Sequence, residues 1–128
     1  MKVYLSGGMH SGWQDTATDE FAVGITVLNP RQHGLSAPEQ YSAWDREAIK
    51  QCDVVLAYME NSNPCGKSLG FEVGYAKGLG KLVVLVDETK HRYMDLIRHS
   101  VDVECDSIGD AAMFINRLSR CAADWRDV

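Results

Sequence analysis

Apolar residues along this chain fall into two alternating patterns. In one they come as short near-continuous runs; in the other they return every three or four positions. Lys2–Ser6 (KVYLS), Ile25–Leu28 (ITVL), Asp53–Met59 (DVVLAYM) and Lys81–Val86 (KLVVLV) are runs of strand length and β-branched composition, so they predict strands. DVVLAYM is apolar almost throughout, as a strand covered on both faces would be. Lys2–Ser6 is expected to be the central strand and Val101–Cys105 a short last one. Between them the helical period predicts a weak helix over Asp15–Val23 and one over Pro38–Gln51, with Pro38 in its first turn and an apolar stripe of Tyr41, Trp44, Ala48 and Ile49. Further helices are expected from about Lys67 to Leu79, from Thr89 to His99, and from Ile108 to about Asp124. Ser107 caps the last of these, and Ala111, Met113, Phe114, Leu118 and Cys121 are its expected buried positions. Loops fill Gly7–Asp15, Arg31–Ala37 (after the break at Asn29-Pro30) and Glu60–Gly66. Strands alternating with helices over 128 residues predict one domain, residues 1–128. Its fold class is α/β: a three-layer sandwich with a mostly parallel, doubly wound, flavodoxin- or Rossmann-like sheet and helices on both faces.

Candidate chemistry concentrates between Asn61 and Val86. Glu72 is the only acidic residue there. It is expected near the first turn of its helix, where the positive end of the dipole favours an ionised carboxylate, and such a group can act as a nucleophile. The alternative is a solvent-facing Glu; its neighbours Phe71, Val73, Tyr75 and Ala76 favour the functional reading. Gly70, Gly74 and Gly78 recur every four residues and predict a face against which a sheet or ligand approaches closely. Asp45 lies beside the stripe of its helix, pointing either into a cleft or to solvent. His33 reads as a solvated side chain. Gly7 and Gly8 follow a strand, where glycines let backbone N–H groups approach a ligand. Ligands of such sheets bind beyond the carboxyl ends of the strands, so the Gly7 loop and the Glu72 helix are expected to meet in one cleft.

Composition narrows the partners. The chain is 45% hydrophobic and 24% charged, with a net charge of −5, so no broad basic surface invites a nucleic-acid polymer. No run reaches membrane-spanning length, and MKVYLSGG does not have the form of a signal peptide. Cys52, Cys65, Cys105 and Cys121 are scattered without a C-x-x-C pair, which points to reduced thiols, a cytoplasmic location and no structural zinc. Cys65 reads as a bystander in the loop before the Glu72 helix. No metal or cofactor is predicted. Gly7, Gly8 and Gly12 do not fit G-x-G-x-x-G. Gly66-Lys67-Ser68 has the context of a phosphate loop but lacks the first glycine, which would stand at Asn61.

Three segments resemble the nucleoside 2-deoxyribosyltransferases and their relatives, the 2-deoxynucleoside 5-phosphate N-hydrolases. They are VYLSGGMHSGWQD, YSAWDREAIKQCDVVLAYM and SLGFEVGYAKGLGKLVVLV. The last is similar to the family's G-x-E-x-G-Y-A…G-K signature. The resemblance implies that Glu72 attacks the anomeric carbon of a deoxyribosyl group, that Asp45 contacts the base and helps its protonation, and that Tyr4 orients Glu72. It implies that Gly7 and Gly8 line the sugar pocket, that Trp13 packs on the base, and that Gly70 of the signature borders the substrate. Lys67 and Ser68, beside backbone N–H groups at a helix start and within reach of His10, read instead as a site for an anion, so 5'-monophosphates are expected to be tolerated. The resemblance also implies a homodimer or larger assembly with shared sites, to which Asp95 corresponds as the residue reaching a neighbour. The transferases carry an acidic residue six positions before the nucleophile; here that position is Gly66, followed by a cation. The partners implied are a nucleoside or nucleotide and a nucleobase. Sugar transfer to a base, hydrolysis of a monophosphate and non-catalytic nucleotide binding on the same fold are the three functions this leaves.

Overall fold

The computed structural model describes residues 1–62 and 66–126. Its five strands are β1 Lys2–Gly7, β2 Thr26–Leu28, β3 Val54–Met59, β4 Leu82–Asp87 and β5 Val103–Cys105. They form one sheet in the order β2-β1-β3-β4-β5, and every neighbouring pair is parallel. The order reverses between β1 and β3, and a crevice opens at the carboxyl ends of the strands at such a reversal. β3 therefore holds the middle, and β1, the expected central strand, lies one place from it.

The period of two along each strand divides the core. Val3, Leu5, Val54, Leu56, Val84 and Val86 face α1 (Trp13–Glu20) and α5 (Ile108–Arg126). Tyr4, Val55, Ala57, Val83 and Leu85 face α2 (Pro38–Gln51), α3 (Gly66–Gly78) and α4 (Asp95–Ser100). The sandwich has the three layers expected.

Several local expectations are corrected. α1 begins at Trp13, two residues early, because Gly12 turns left-handed (φ 80°) and its carbonyl accepts Asp15 N–H at 3.1 Å. The helix expected over Thr89–His99 forms only its second half. Asp87 Oδ1 accepts both the Thr89 N–H (3.0 Å) and hydroxyl (2.6 Å), Lys90 is left-handed at φ 51°, and a 3-10 turn over Arg92–Met94 precedes α4. In α5, Ala111, Ala112 and Ile115 fill the core, while Met113 and Cys121 are exposed. The Ser107 cap is present: its Oγ accepts Asp110 N–H at 3.0 Å. Cys65 lies outside the described residues.

The glycine stripe of α3 does not face the sheet. Leu69, Val73 and Ala76 do, at helical spacing. Gly70 turns toward Ile97 of α4, and a Cβ on Gly74 or Gly78 would meet nothing within 4 Å. Close approach is instead required at Gly7, where a Cβ would stand 2.6 Å from Tyr58 O and 2.9 Å from Trp13 Cζ2. Gly7→Ala is accordingly expected to destabilise the fold by about 1–3 kcal/mol, because backbone cannot yield to it. Gly74→Ala is expected to stabilise it by roughly 0.5–1 kcal/mol through helix propensity and a less flexible unfolded chain. Urea denaturation of both variants measures the pair.

Candidate active site

Strand alternation places Tyr4 and Ser6 together on the β1 face beneath α3. Helical spacing places Glu72 beside the buried stripe of Leu69, Val73 and Ala76 rather than on an outer face. The two arrangements converge on one carboxyl group. The Tyr4 hydroxyl donates to Glu72 Oε2, and Ser6 Oγ donates to Glu72 Oε1 at 3.0 Å. Burial is the main influence on this group and raises its pKa from 4.5 to about 7. The Tyr4 hydroxyl pulls it down, the Asp45 carboxyl pushes it up, and Ser6 pulls it down again. This corrects the expected setting. α3 starts at Gly66, so Glu72 sits in the second turn, beyond the reach of the helix terminus. Its proton is governed by desolvation and three side chains. Burial and the same carboxylate drive the Tyr4 phenol far up, so it remains a donor.

Asp45 comes from α2, where Tyr41, Trp44, Asp45, Ala48 and Ile49 follow helical spacing. It points inward to the cleft. Burial raises its carboxyl group, and His33 and Tyr4 lower it. Its Oδ1 is buried without a hydrogen-bond partner among the described residues, 4.0 Å from His33 Nε2.

A cavity of about 350 Å³ opens at the carboxyl ends of the strands. Tyr4, Gly7, Gly8, Met9 and His10 line it from β1 and its loop, Pro30, His33 and Leu35 from the loop after β2, Tyr41 and Asp45 from α2, and Ser68 and Glu72 from α3. A second hollow of about 270 Å³ between α2 and α3 shares Tyr41, Asp45, Ser68 and Glu72, and adds Lys67, Arg46 and Phe71. Both carboxyl groups thus stand where the two hollows join.

Three residues singled out from the sequence lie elsewhere. Trp13 is a core residue, not a stacking surface: it is 5% exposed, its Nε1 donates to Gly8 O at 2.9 Å, and its ring meets Tyr58 edge-on. It supports the glycine loop from behind, as does Gln14, whose Nε2 donates to the same carbonyl at 2.8 Å. Gly70 faces α4, away from the cavity. Asp95 is exposed on α4 and pairs with Arg98 at 2.5 Å. Conversely, His33 is not solvated: its side chain is 10% exposed and its ring lies 5.1 Å edge-on from Trp44. Ser6 carried a readable signal, lying two residues beyond Tyr4 on the same strand face. Met9, Pro30 and Leu35 carried none beyond their place in loops at the strand ends, and Tyr41 none beyond its place in the apolar stripe of α2.

A model of the family described as "Nucleoside 2-deoxyribosyltransferase like" matches residues 1–90, which span β1 to the end of β4. The chain belongs to that family. The family's matched span contains every residue that lines the two hollows. No curated protein sequence matches the chain. Among solved structures, the fold is similar to a 2-deoxyribosyltransferase from the psychrotolerant bacterium Bacillus psychrosaccharolyticus, with TM-score 0.68 and 22% identity over 88% of this chain and 90% of that one. It is also similar to the CMP N-glycosidase BcmB of Clostridium botulinum, with TM-score 0.62 and 18% identity over 91% and 98% of the two chains. A 2-desoxiribosyltransferase from Leishmania mexicana aligns at TM-score 0.57 and 19% identity over 74% and 69%. These likenesses establish the α/β fold of the family. Among the described residues no helix is long and apolar enough to cross a membrane.

The raised Glu72 pKa has a consequence for stability. Its folded value of about 7 lies above the 4.5 of an unperturbed Glu. Between those values the unfolded chain releases its proton first, so the contribution of Glu72 is fully present below pH 4.5 and is lost as pH rises through 7. Glu72→Gln does not titrate. Relative to the native protein it is expected to gain of order 1–3 kcal/mol at pH 8 and little at pH 4. Thermal or urea unfolding across that range checks the sign.

Proposed function

We propose that this protein cleaves the N-glycosidic bond of 2'-deoxynucleosides through a deoxyribosyl ester on Glu72 and passes the sugar to a second nucleobase. The observation that carries the reading is the Glu72 carboxyl group, held by Tyr4 and Ser6 at the edge of a cavity that Asp45 shares. An ionised Glu72 oxygen attacks C1' as the C1'–N bond breaks, and the bonding electron pair leaves with the base. Asp45 gives that base nitrogen a proton. The Tyr4 hydroxyl and Ser6 hold the nucleophile in one orientation and move with neither bond. In the second half a nitrogen of the incoming base attacks C1', the ester bond breaks to restore the Glu72 carboxylate, and Asp45 takes back a proton. The sequence of two displacements is that of a retaining glycosidase. Gly7 and Gly8 border the sugar, with His10 and Ser68 nearby, and no cofactor is required.

A second reading, transfer of the sugar of a 5'-monophosphate to water, is favoured by Lys67 and Arg46 together lining the hollow beside Ser68. An acidic residue at position 66 would repel a phosphate; Gly66 does not. Water then replaces the second base, and its proton goes to Asp45. Assembly into a homodimer or larger oligomer, with Asp95 directed to a neighbour, belongs to either reading. So does work inside the cytoplasm.

Incubation with a panel of deoxynucleosides and deoxynucleotides, with and without a second base, separates the two readings by product. Absence of any free base or exchanged nucleoside leaves a nucleotide-binding module and removes both. Glu72→Ala is expected to abolish cleavage, and a slowly turned-over 2-fluoro substrate is expected to leave a sugar adduct on Glu72 of the native protein. Because the nucleophile must be ionised, kcat/KM is expected to fall below a pH of about 7. Asp45→Asn is expected to lower kcat by roughly 10²-fold or more with a smaller change in KM.

Lys67→Ala tests the phosphate end. The native protein is expected to accept the monophosphate, and the variant to lose more efficiency on it than on the free nucleoside. Rejection of the monophosphate by the native protein, or an unmoved ratio in the variant, makes Lys67 a surface charge and the free nucleoside the substrate.

A further inference from the structure

His33 occupies a position that the proposed steps leave without a role. Its Nδ1 accepts the Leu35 N–H at 2.8 Å. A nitrogen that accepts a backbone N–H carries no proton, so the ring proton sits on Nε2. The ring is fixed from a second side by the indole of Trp44, 5.1 Å away at 63°. Nε2 then points at Asp45 Oδ1, 4.0 Å off. That oxygen is buried and has no hydrogen-bond partner among the described residues, which is costly for a carboxylate oxygen.

The other groups that face Asp45 do not supply its missing donor. Tyr4, from β1, has one hydroxyl proton and gives it to Glu72. Glu72, from α3, is itself an acceptor there. Arg46 is the next residue on α2, and successive helical positions do not face the same way. At 4.0 Å the two atoms stand about 1 Å beyond a hydrogen bond of ordinary length, a gap that side-chain rotation would have to close.

We propose that His33 is a positioning residue for Asp45: it donates its Nε2–H to Oδ1 and leaves Oδ2 as the oxygen that exchanges a proton with the base. The proposal rests on the reading of Asp45 as the acid that serves the departing base. It gives the loop after β2 a part in the chemistry, since Leu35 N–H sets the tautomer that Asp45 requires. The chain runs from Leu35 N–H to His33 and from His33 to Asp45, which lines the same cavity as Tyr4 and Glu72. One carboxyl oxygen is thus committed to the protein and the other to the substrate.

Two substitutions separate holding the loop from holding Asp45. His33→Asn keeps an acceptor for Leu35 N–H but brings no donor to Asp45. His33→Gln carries an amide N–H to about the place of Nε2. His33→Asn is expected to lower kcat by about 10- to 100-fold with KM within about threefold, and His33→Gln to recover most of the loss. In an Asp45→Asn background His33→Asn is expected to cost nothing further, as two residues acting as a unit do. Nitrogen NMR of the resting protein needs no turnover: the His33 Nε2–H resonance is expected to shift in Asp45→Asn. An unreduced kcat in His33→Asn, a loss that simply adds to that of Asp45→Asn, or an unmoved Nε2 resonance overturns the proposal. If Asp45→Asn is crippled while His33→Asn is not, the His33 role alone falls. If Asp45→Asn turns over normally, the acid role of Asp45 falls and this proposal with it.

Discussion

The cleft of this protein depends on one buried carboxyl group with a donor on each oxygen. Glu72 sits beside the apolar stripe of α3, where an unpaired charge would be untenable, and Tyr4 and Ser6 rise from β1 to meet it. Those two donors fix the carboxyl group against the sheet. Desolvation still dominates and raises the group to about 7, so it holds its proton more tightly than a surface Glu while keeping the carboxylate accessible near neutral pH. A group so placed works against stability at neutral pH, which is the common signature of a site maintained for chemistry.

The same constraint explains what surrounds it. β1 must bring Tyr4 and Ser6 under α3 while its end turns sharply into the cavity. Gly7 permits this because its backbone runs against Tyr58 O and the Trp13 ring with no room for a Cβ. Trp13 and Gln14 both donate to Gly8 O, so the loop that borders the cavity is anchored from the core side. At the same carboxyl end of the sheet, two strands over, the buried Asp87 carboxylate takes Arg98 Nη1 at 2.6 Å and binds the Thr89 turn, tying α4 to the end of β4. Removing one member of such a pair leaves the other stranded, so the clamp is a commitment of the fold rather than a surface ornament.

A second carboxyl group, that of Asp45, lies close enough to raise both Glu72 and the Tyr4 phenol. Protons on such a pair belong to the pair. Coupling of this kind suits a reaction in which one carboxyl group must be bare and the other protonated at the same moment. His33 and Tyr4 both lower Asp45 against its burial.

The sequence by itself determined the architecture. Period two against period 3.6, the short β-branched runs and the strand–helix alternation dictated a parallel three-layer fold, and the residue pattern around Glu72 carried the family. Helix register likewise turns the Glu72 carboxylate to the inner face that Leu69, Val73 and Ala76 share. Strand order and the loops were decided only in three dimensions. Which strand is central follows from nonlocal pairing, and the late start of α4 at Asp95 follows from the Asp87–Thr89 turn, a contact that competes with helix formation. The Trp13 indole went to the core because it lies behind Gly8 O, and His33 went to the cleft because α2 brings Asp45 to it. Neither is a property of spacing along the chain. Local periodicity sets which face a side chain takes; only packing between elements sets what that face meets.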